Sequence, residues 1–179
     1  RVLAPRTLIT PSDYQSMGYC IPSAIGAAIA CPTKQVVALV GDGGFVMSGL
    51  ELLTAYREKV NLLVVVLDDG YFGFMKEIQE ELFGATIGVT LENPDFKKLA
   101  ESLHIPYHIV TGDIEDGLRE CIQHSGPGLL QVPVTYPHKA LMPMLGRRWK
   151  ANLREWAKEG RHGLEQVRLS LQNTFDRTR

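Results

Sequence analysis

Apolar residues in this chain fall into short unbroken runs, separated by stretches with a helical period. Gln35 to Val40 (QVVALV) and Leu62 to Leu67 (LLVVVL) are continuous and rich in β-branched residues. That pattern predicts strands buried on both faces. Tyr107 to Val110 and Leu129 to Val134 read as two further strands. Pro22 to Cys31 (PSAIGAAIAC) is small and apolar, with proline at a helix-start position, and predicts a tightly packed helix. Ser48 to Lys59 predicts a helix with Leu50 and Leu53 near one face. Phe72 to Phe83 predicts another, since Phe74, Ile78 and Leu82 fall at i, i+4 and i+8. Asn93, a favoured N-cap, precedes Pro94 and is expected to open a helix through Leu103. Ile114 to His124 is the last helix of the series. Apolar strands alternating with helices of this length indicate βαβ units, hence a mostly parallel, doubly wound sheet in a three-layer α/β/α domain.

Composition narrows the picture. A chain of 179 residues with 45% apolar and 22% charged residues has an ordinary globular balance and is long enough for a sizeable core. The net charge of −1 gives no case for nucleic acid. From Arg147 to Arg179, however, nine Lys/Arg face four Asp/Glu. The expected division is therefore a domain over residues 1–146 and a basic, amphipathic helical tail over 147–179. In the tail, Trp149, Leu153 and Trp156 make one apolar stripe, and Leu164, Val167, Leu171 and Phe175 a second. Cys20, Cys31 and Cys121 are odd in number and far apart, which suggests no disulfide framework and a reducing, cytoplasmic setting. No apolar run reaches the ~18 residues of a membrane span. The chain opens at Arg1 without methionine, as a fragment or processed piece would.

The chemistry concentrates at two strand ends. Gly41-Asp42-Gly43-Gly44 follows the first apolar run and Asp68-Asp69-Gly70 follows the second, with Asp69 lying 27 positions after Asp42. Ligands in doubly wound folds bind outside the carboxyl ends of the strands. Two carboxylates there can grip a small divalent cation, and magnesium is usually held by one or two carboxylates plus substrate phosphates. Gly43 and Gly44 lack Cβ, so their N–H groups can approach phosphate oxygens. Other chemistries find less support. His104 and His108 are split by Pro106, no G-x-S-x-G elbow occurs, and the first turn lacks the last glycine of a dinucleotide fingerprint. Cys20 reads as part of a packing turn, and Glu77, Glu80 and Glu81 as a solvated helix face.

GDGGFVMSGLELLTA followed by LLVVVLDDGYFGF resembles the diphosphate-binding motif of thiamine-diphosphate-dependent enzymes, which runs from GDG to a pair usually written Asn-Asn. MGYCIPSAIGAAIA and GPGLLQVPV resemble two further segments of that family, and the similarity is to its acetolactate synthase-like group. It covers about Pro5 to Pro137 and only the family's C-terminal domain. The resemblance implies the thiamine-diphosphate-binding fold with thiamine diphosphate and Mg2+ as cofactors. Asp42, Asp69 and the Tyr71 carbonyl become the metal ligands. Gly41, Gly43 and Gly44 hold the diphosphate. Met17 wedges beneath the cofactor, Gln15 and Met17 offer backbone groups to its pyrimidine ring, and Met47, Phe72 and Gly73 complete the cofactor set. Phe74, Met75 and Ile78 line the substrate pocket.

The same resemblance implies a 2-oxo acid substrate, with decarboxylation or carboligation as the reaction. No catalytic side chain is expected within these residues. The activating glutamate of the family belongs to another domain, and Glu51 matches a structural position. A homodimer or tetramer, or a partner chain supplying the pyrimidine-binding domain, is thereby implied, with no membrane partner. Three positions depart from the family pattern: Asp68-Asp69 stands for Asn-Asn, Gln15 for a usual glycine, and Ile78 for a pocket tryptophan. The alternatives are a non-catalytic scaffold domain of the same fold, or one subunit of a split decarboxylase.

Overall fold

A computed structural model describes residues 4–5, 7–11, 14–136, 155 and 158–160. The chain divides into two compact units, one formed by Arg1–Tyr71 with Thr90–Thr135, the other by Phe72–Val89 with Tyr136–Arg179. The expected boundary at residue 146 and both apolar stripes of the tail lie outside the described residues, apart from isolated positions.

The first unit carries the sheet. Helix α1 (Cys20–Ala30) leads to strand β1 (Val36–Gly41), helix α2 (Asp42–Ser48), a 3-10 turn (Gly49–Glu51), helix α3 (Leu52–Arg57) and strand β2 (Leu62–Asp68). After the excursion that holds helix α4 (Gly73–Phe83) come α5 (Phe96–Ser102), β3 (Tyr107–Ile109), α6 (Ile114–Ile122) and β4 (Gly128–Pro133). The four strands are all parallel, in the order β1-β2-β4-β3. The chain steps outward from β1 to β2 to β3, then returns to place β4 between β2 and β3. Parallel crossovers are right-handed, so outward and return connections cover opposite faces. The cores show this. Ala38, Val40, Leu62, Val64, Val66 and Leu129 pack with α1, α2, α3 and α5 on one face. Leu63, Val65, Leu130 and Val132 pack with Leu118 and Cys121 of α6 on the other. This is the expected three-layer α/β/α arrangement.

Three local expectations change. β1 is not buried on both faces: among the described residues it is an edge strand, with Val37 49% and Leu39 63% exposed. The stretch after it is not a glycine-rich loop followed by one long helix. Gly41 is extended (φ −73°, ψ 157°) and α2 begins at once with Asp42, while the helix expected over Ser48–Lys59 is broken at the 3-10 turn. The reason is the ring of Phe45, 1% exposed and edge-on to Phe96 at 5.3 Å, which draws that turn of helix down onto the sheet. Third, the N-cap of α5 is Asp95, whose carboxylate accepts the Lys98 N–H at 3.0 Å. Asn93 is used elsewhere.

In the second unit α4 agrees with its periodic pattern. Ile78 and Leu82 are buried, Phe74 is 37% exposed, and Gly84 closes the helix with φ +68°. Glu77, Glu80 and Glu81 are half-buried rather than fully solvated. Among the described residues no helix is long and apolar enough to cross a membrane. All three cysteines are free.

Candidate functional site

Asp42 is the one buried charged residue among those described, 2% exposed. A buried carboxylate needs donors, and Asp42 has three. Its Oδ1 accepts the N–H of Gly43 at 2.8 Å. Its Oδ2 accepts the N–H of Gly70 at 2.8 Å and an amide hydrogen of Asn93 at 2.7 Å. The bond to Gly70 joins the two acidic turns, because it links the start of α2 to the residue that follows Asp69. Gly70 has φ +72°, a left-handed backbone suited to glycine, which aims its N–H back at the carboxylate.

The second turn is fastened on its other side. The Leu91 N–H is donated to the Gly70 carbonyl at 2.8 Å, and Tyr71 bridges antiparallel to Thr90. Asp69 Oδ1 accepts the Tyr71 N–H at 3.2 Å. The structure therefore sets Asp42 against the backbone of the segment holding Asp69 and Tyr71. Its oxygen-only donor set is the kind that hard cations take. Among the described residues, no three His, Cys, Asp or Glu side chains converge as a metal cage. Magnesium needs none, since phosphate and water complete its shell.

A polar chain that sequence reasoning missed runs behind this turn. Asn93 donates its second amide hydrogen to Asp68 Oδ1 at 2.8 Å. Asp68 Oδ2 accepts from Gln131 Nε2 at 2.6 Å, and Gln131 Oε1 accepts the Tyr107 hydroxyl at 2.5 Å. The network thus runs from Asp42 at the start of α2 through Asp68 at the end of β2 and Gln131 within β4 to Tyr107, the first residue of β3. Burial, then the charges of Asp95 and Asp68, raises the Tyr107 phenol above its ordinary value and keeps it a donor. Asn93 Oδ1 is buried without a hydrogen-bond partner. The available signals were Gln131, a polar residue inside an apolar strand, and Asp68, the departure from the family pattern.

The remaining expected positions fall as follows. Gln15 adopts φ +48°, which accounts for glycine being usual there. Gly18 has φ +83°, and a Cβ on it would stand 3.3 Å from Met47 Cβ, so the chain at Gly18 passes close beside α2. Met17 is 50% and Met47 56% exposed. Gly44 lets α2 start close over β1: a Cβ there would lie 3.0 Å from Val40 Cγ2. Phe72, Gly73, Phe74, Met75 and Ile78 belong to the second unit, where Phe74 and Met75 are exposed and Ile78 is buried.

The histidine pair does separate. His104 tilts against Tyr56 at 5.6 Å, and His108 Nδ1 lies 3.2 Å from Glu120. Two clefts lie away from the acidic turns. One of 460 Å³ is lined by His108, Thr111, Asp113, Asp116 and Arg119, and one of 250 Å³ by Gln35, Tyr107, Cys121 and His124. The larger also holds Gly112 and Gly117 beside its two aspartates, but both aspartates are exposed and Asp113 caps α6, its Oδ1 accepting the Glu115 N–H at 2.9 Å.

Comparison with known proteins bears on the same residues. Residues 1–132 match the family described as thiamine pyrophosphate enzyme, C-terminal TPP binding domain. The chain is 36% identical over 134 residues to the acetolactate synthase isozyme 2 large subunit of Escherichia coli, covering 73% of this chain and 24% of that one. It is 34% identical over 138 residues to the acetolactate synthase of Bacillus subtilis, covering 76% and 24%. It superposes on a thiamine diphosphate-dependent 4-hydroxybenzoylformate decarboxylase of Rhodococcus jostii with a TM-score of 0.63 and 27% identity, over 69% of this chain and 24% of the other. The chain spans about a quarter of the length of these relatives. A parallel sheet with a buried, glycine-flanked aspartate at one strand tip and a second acidic turn at the next, matched over residues 1–132, places this chain in the thiamine pyrophosphate enzyme family, as its C-terminal TPP binding domain.

Proposed function

We propose that this chain is the magnesium- and diphosphate-holding part of a larger enzyme that decarboxylates or couples 2-oxo acids in the manner of the acetolactate synthases. The observation that carries the reading is the 2.8 Å bond from the Gly70 N–H to the buried Asp42 carboxylate, which makes one locus of two acidic turns. Asp42, Asp69 and the Tyr71 carbonyl are the metal ligands in this reading. Gly41, Gly43 and Gly44 bring backbone to the phosphates. Met17, Gln15 and Met47 serve the ring portion of the cofactor in this reading, which the close approach of Gly18 to Met47 supports. Phe72, Gly73, Phe74, Met75 and Ile78 keep the roles that the family resemblance gives them.

Thiamine diphosphate, when bound, supplies carbanion stabilisation, and the protein supplies position and electrostatics. Asp42 is fixed before any cation arrives, because its three donors hold it in one rotamer. A preset carboxylate loses less side-chain freedom on binding than a mobile one. The glutamate that activates the cofactor belongs to a domain outside these residues, so a second copy or a partner chain completes the site. The 179-residue chain alone accordingly turns over no 2-oxo acid.

Calorimetric titration of thiamine diphosphate into the full chain, with and without magnesium, tests the proposal. Binding should require magnesium and should be lost in Asp42→Ala. Binding that ignores magnesium, or survives Asp42→Ala, would overturn it.

A further inference from the structure

We propose that Asn93 is the positioning residue of the acidic site: its single amide nitrogen ties Asp42 to Asp68 and sets the orientation in which Asp42 meets a cation. The inference rests on the reading of Asp42 as a metal ligand, and it adds a residue from outside both acidic turns.

The geometry is specific. Asn93 Nδ2 lies 2.7 Å from Asp42 Oδ2 and 2.8 Å from Asp68 Oδ1. The two carboxylate oxygens are therefore no further apart than those two lengths combined. Ionised carboxylates only accept hydrogen bonds, so two of them at that separation repel unless a donor stands between. An amide NH2 has two hydrogens on one nitrogen and fits that task. Its orientation is also settled by its neighbours, because turning the amide over would set its oxygen against two acceptors. The consequence is visible in Asn93 Oδ1, which is buried without a partner. Asn93 thus gives both hydrogens to the carboxylates and leaves its oxygen unsatisfied.

The loop holds Asn93 in place from both sides. Upstream, Leu91 is hydrogen-bonded to Gly70 at 2.8 Å. Downstream, Phe96 is 2% exposed and edge-on to Phe45 of α2. The amide is thus anchored to the two elements whose carboxylates it joins. Proline at 94 disfavours a helical Asn93, and Asp95 takes over the capping of α5. Asn93 is thereby free to turn inward. Asp68 gives the bridge its purpose. With asparagine at this position, as the resemblance would have it, there would be one charge fewer to offset.

Two readouts on the full chain test the inference. In the absence of ligand, Asn93→Ala should lower the thermal midpoint, and Asn93→Asp, which adds a third acid, should lower it further. Asp68→Asn in the Asn93→Ala background should recover much of the loss, because it removes the charge that the bridge offsets. In magnesium, Asn93→Ala should weaken thiamine diphosphate binding at least tenfold, while Asp95→Ala, which removes the α5 cap and the Lys98 ion pair but no bond to Asp42 or Asp68, should lower the midpoint and leave that affinity unchanged. Wild-type midpoints in both Asn93 variants, or no recovery in the double variant, would overturn the proposal. So would unchanged magnesium-dependent affinity in Asn93→Ala. A wild-type chain that binds no thiamine diphosphate would instead sink the cofactor reading, and the midpoints without ligand would still decide whether Asn93 couples the carboxylates.

Discussion

Replacing Gly70 sets backbone strain against a hydrogen bond at one atom. Gly70 has φ +72°, and a Cβ there would meet nothing within 4 Å. The cost of Gly70→Ala is therefore conformational, about 1–2 kcal/mol for the left-handed region. Its N–H is donated to Asp42 at 2.8 Å, and a bond to a charged group contributes about 1.5–3 kcal/mol. The bond exceeds the strain, so the alanine peptide should stay where it is. Gly84 provides the control, with φ +68°, open space at Cβ, and an N–H bonded to the Glu80 carbonyl instead. Both alanine variants should lose roughly 2–8 °C in thermal midpoint, at about 2–4 °C per kcal/mol for a chain of this size. Neither should change magnesium-dependent cofactor affinity by more than a few fold. Valine reverses the balance, since a β-branched residue with positive φ is a genuine outlier. Gly70→Val should turn the peptide away from Asp42 and weaken affinity about tenfold or more, which is ~1.4 kcal/mol. Gly84→Val should destabilise without touching affinity. Thermal melts and calorimetric titration of the full chain read both effects. Wild-type affinity in Gly70→Val would refute the role given to this N–H, and a collapse of affinity already in Gly70→Ala would refute the ranking of the two energies.

Three further outcomes follow from packing and ionisation. Gly49→Ala would place a Cβ 2.7 Å from Phe45 Cε1 and 2.8 Å from Cζ; the ring is held edge-on to Phe96 and cannot swing away. Overpacking of this kind costs about 1–3 kcal/mol, so a melt with an unchanged midpoint would contradict the placement of α2. Tyr107 titrates above its ordinary 10.0, so the unfolded chain releases this proton first. Its contribution is complete below about pH 10 and is lost as the pH rises further: the midpoint gap between wild type and Tyr107→Phe should shrink above that pH, and a widening gap would refute the network. Cys31 is exposed, whereas Cys20 and Cys121 are half-buried and burial raises both thiols. Ellman's reagent at neutral pH should therefore label Cys31 first, and equal labelling of all three by mass spectrometry would count against the burial of α1 and α6.

What the sequence disclosed and what it withheld divide along the range of the interactions. The two acidic turns were legible because each directly follows an apolar run, and a strand tip is a local consequence of where that run stops. The edge position of β1 was not. VVALV reads like a strand covered on both faces, and only the sheet order, with no strand beyond β1 among the described residues, decides that Val37 and Leu39 face outward. The helix at Asp42 was hidden by its glycines, whose low propensity is overridden by the burial of Phe45. Asn93 was hidden by an ambiguity that local chemistry cannot resolve. Asn93 and Asp95 are both good caps for the same helix. The choice was made by Asp42, 51 residues away, and by Asp68, 25 away, which need donors more than a helix end does. That need was itself readable. Adjacent acids at a buried strand tip must find donors when the chain folds, and Gln131, polar within an apolar strand, was one such donor in plain view. An acidic strand tip is a demand for amides as well as an offer to a metal, and that demand points from Asp68 to Gln131, while Asn93 answers it only through the fold.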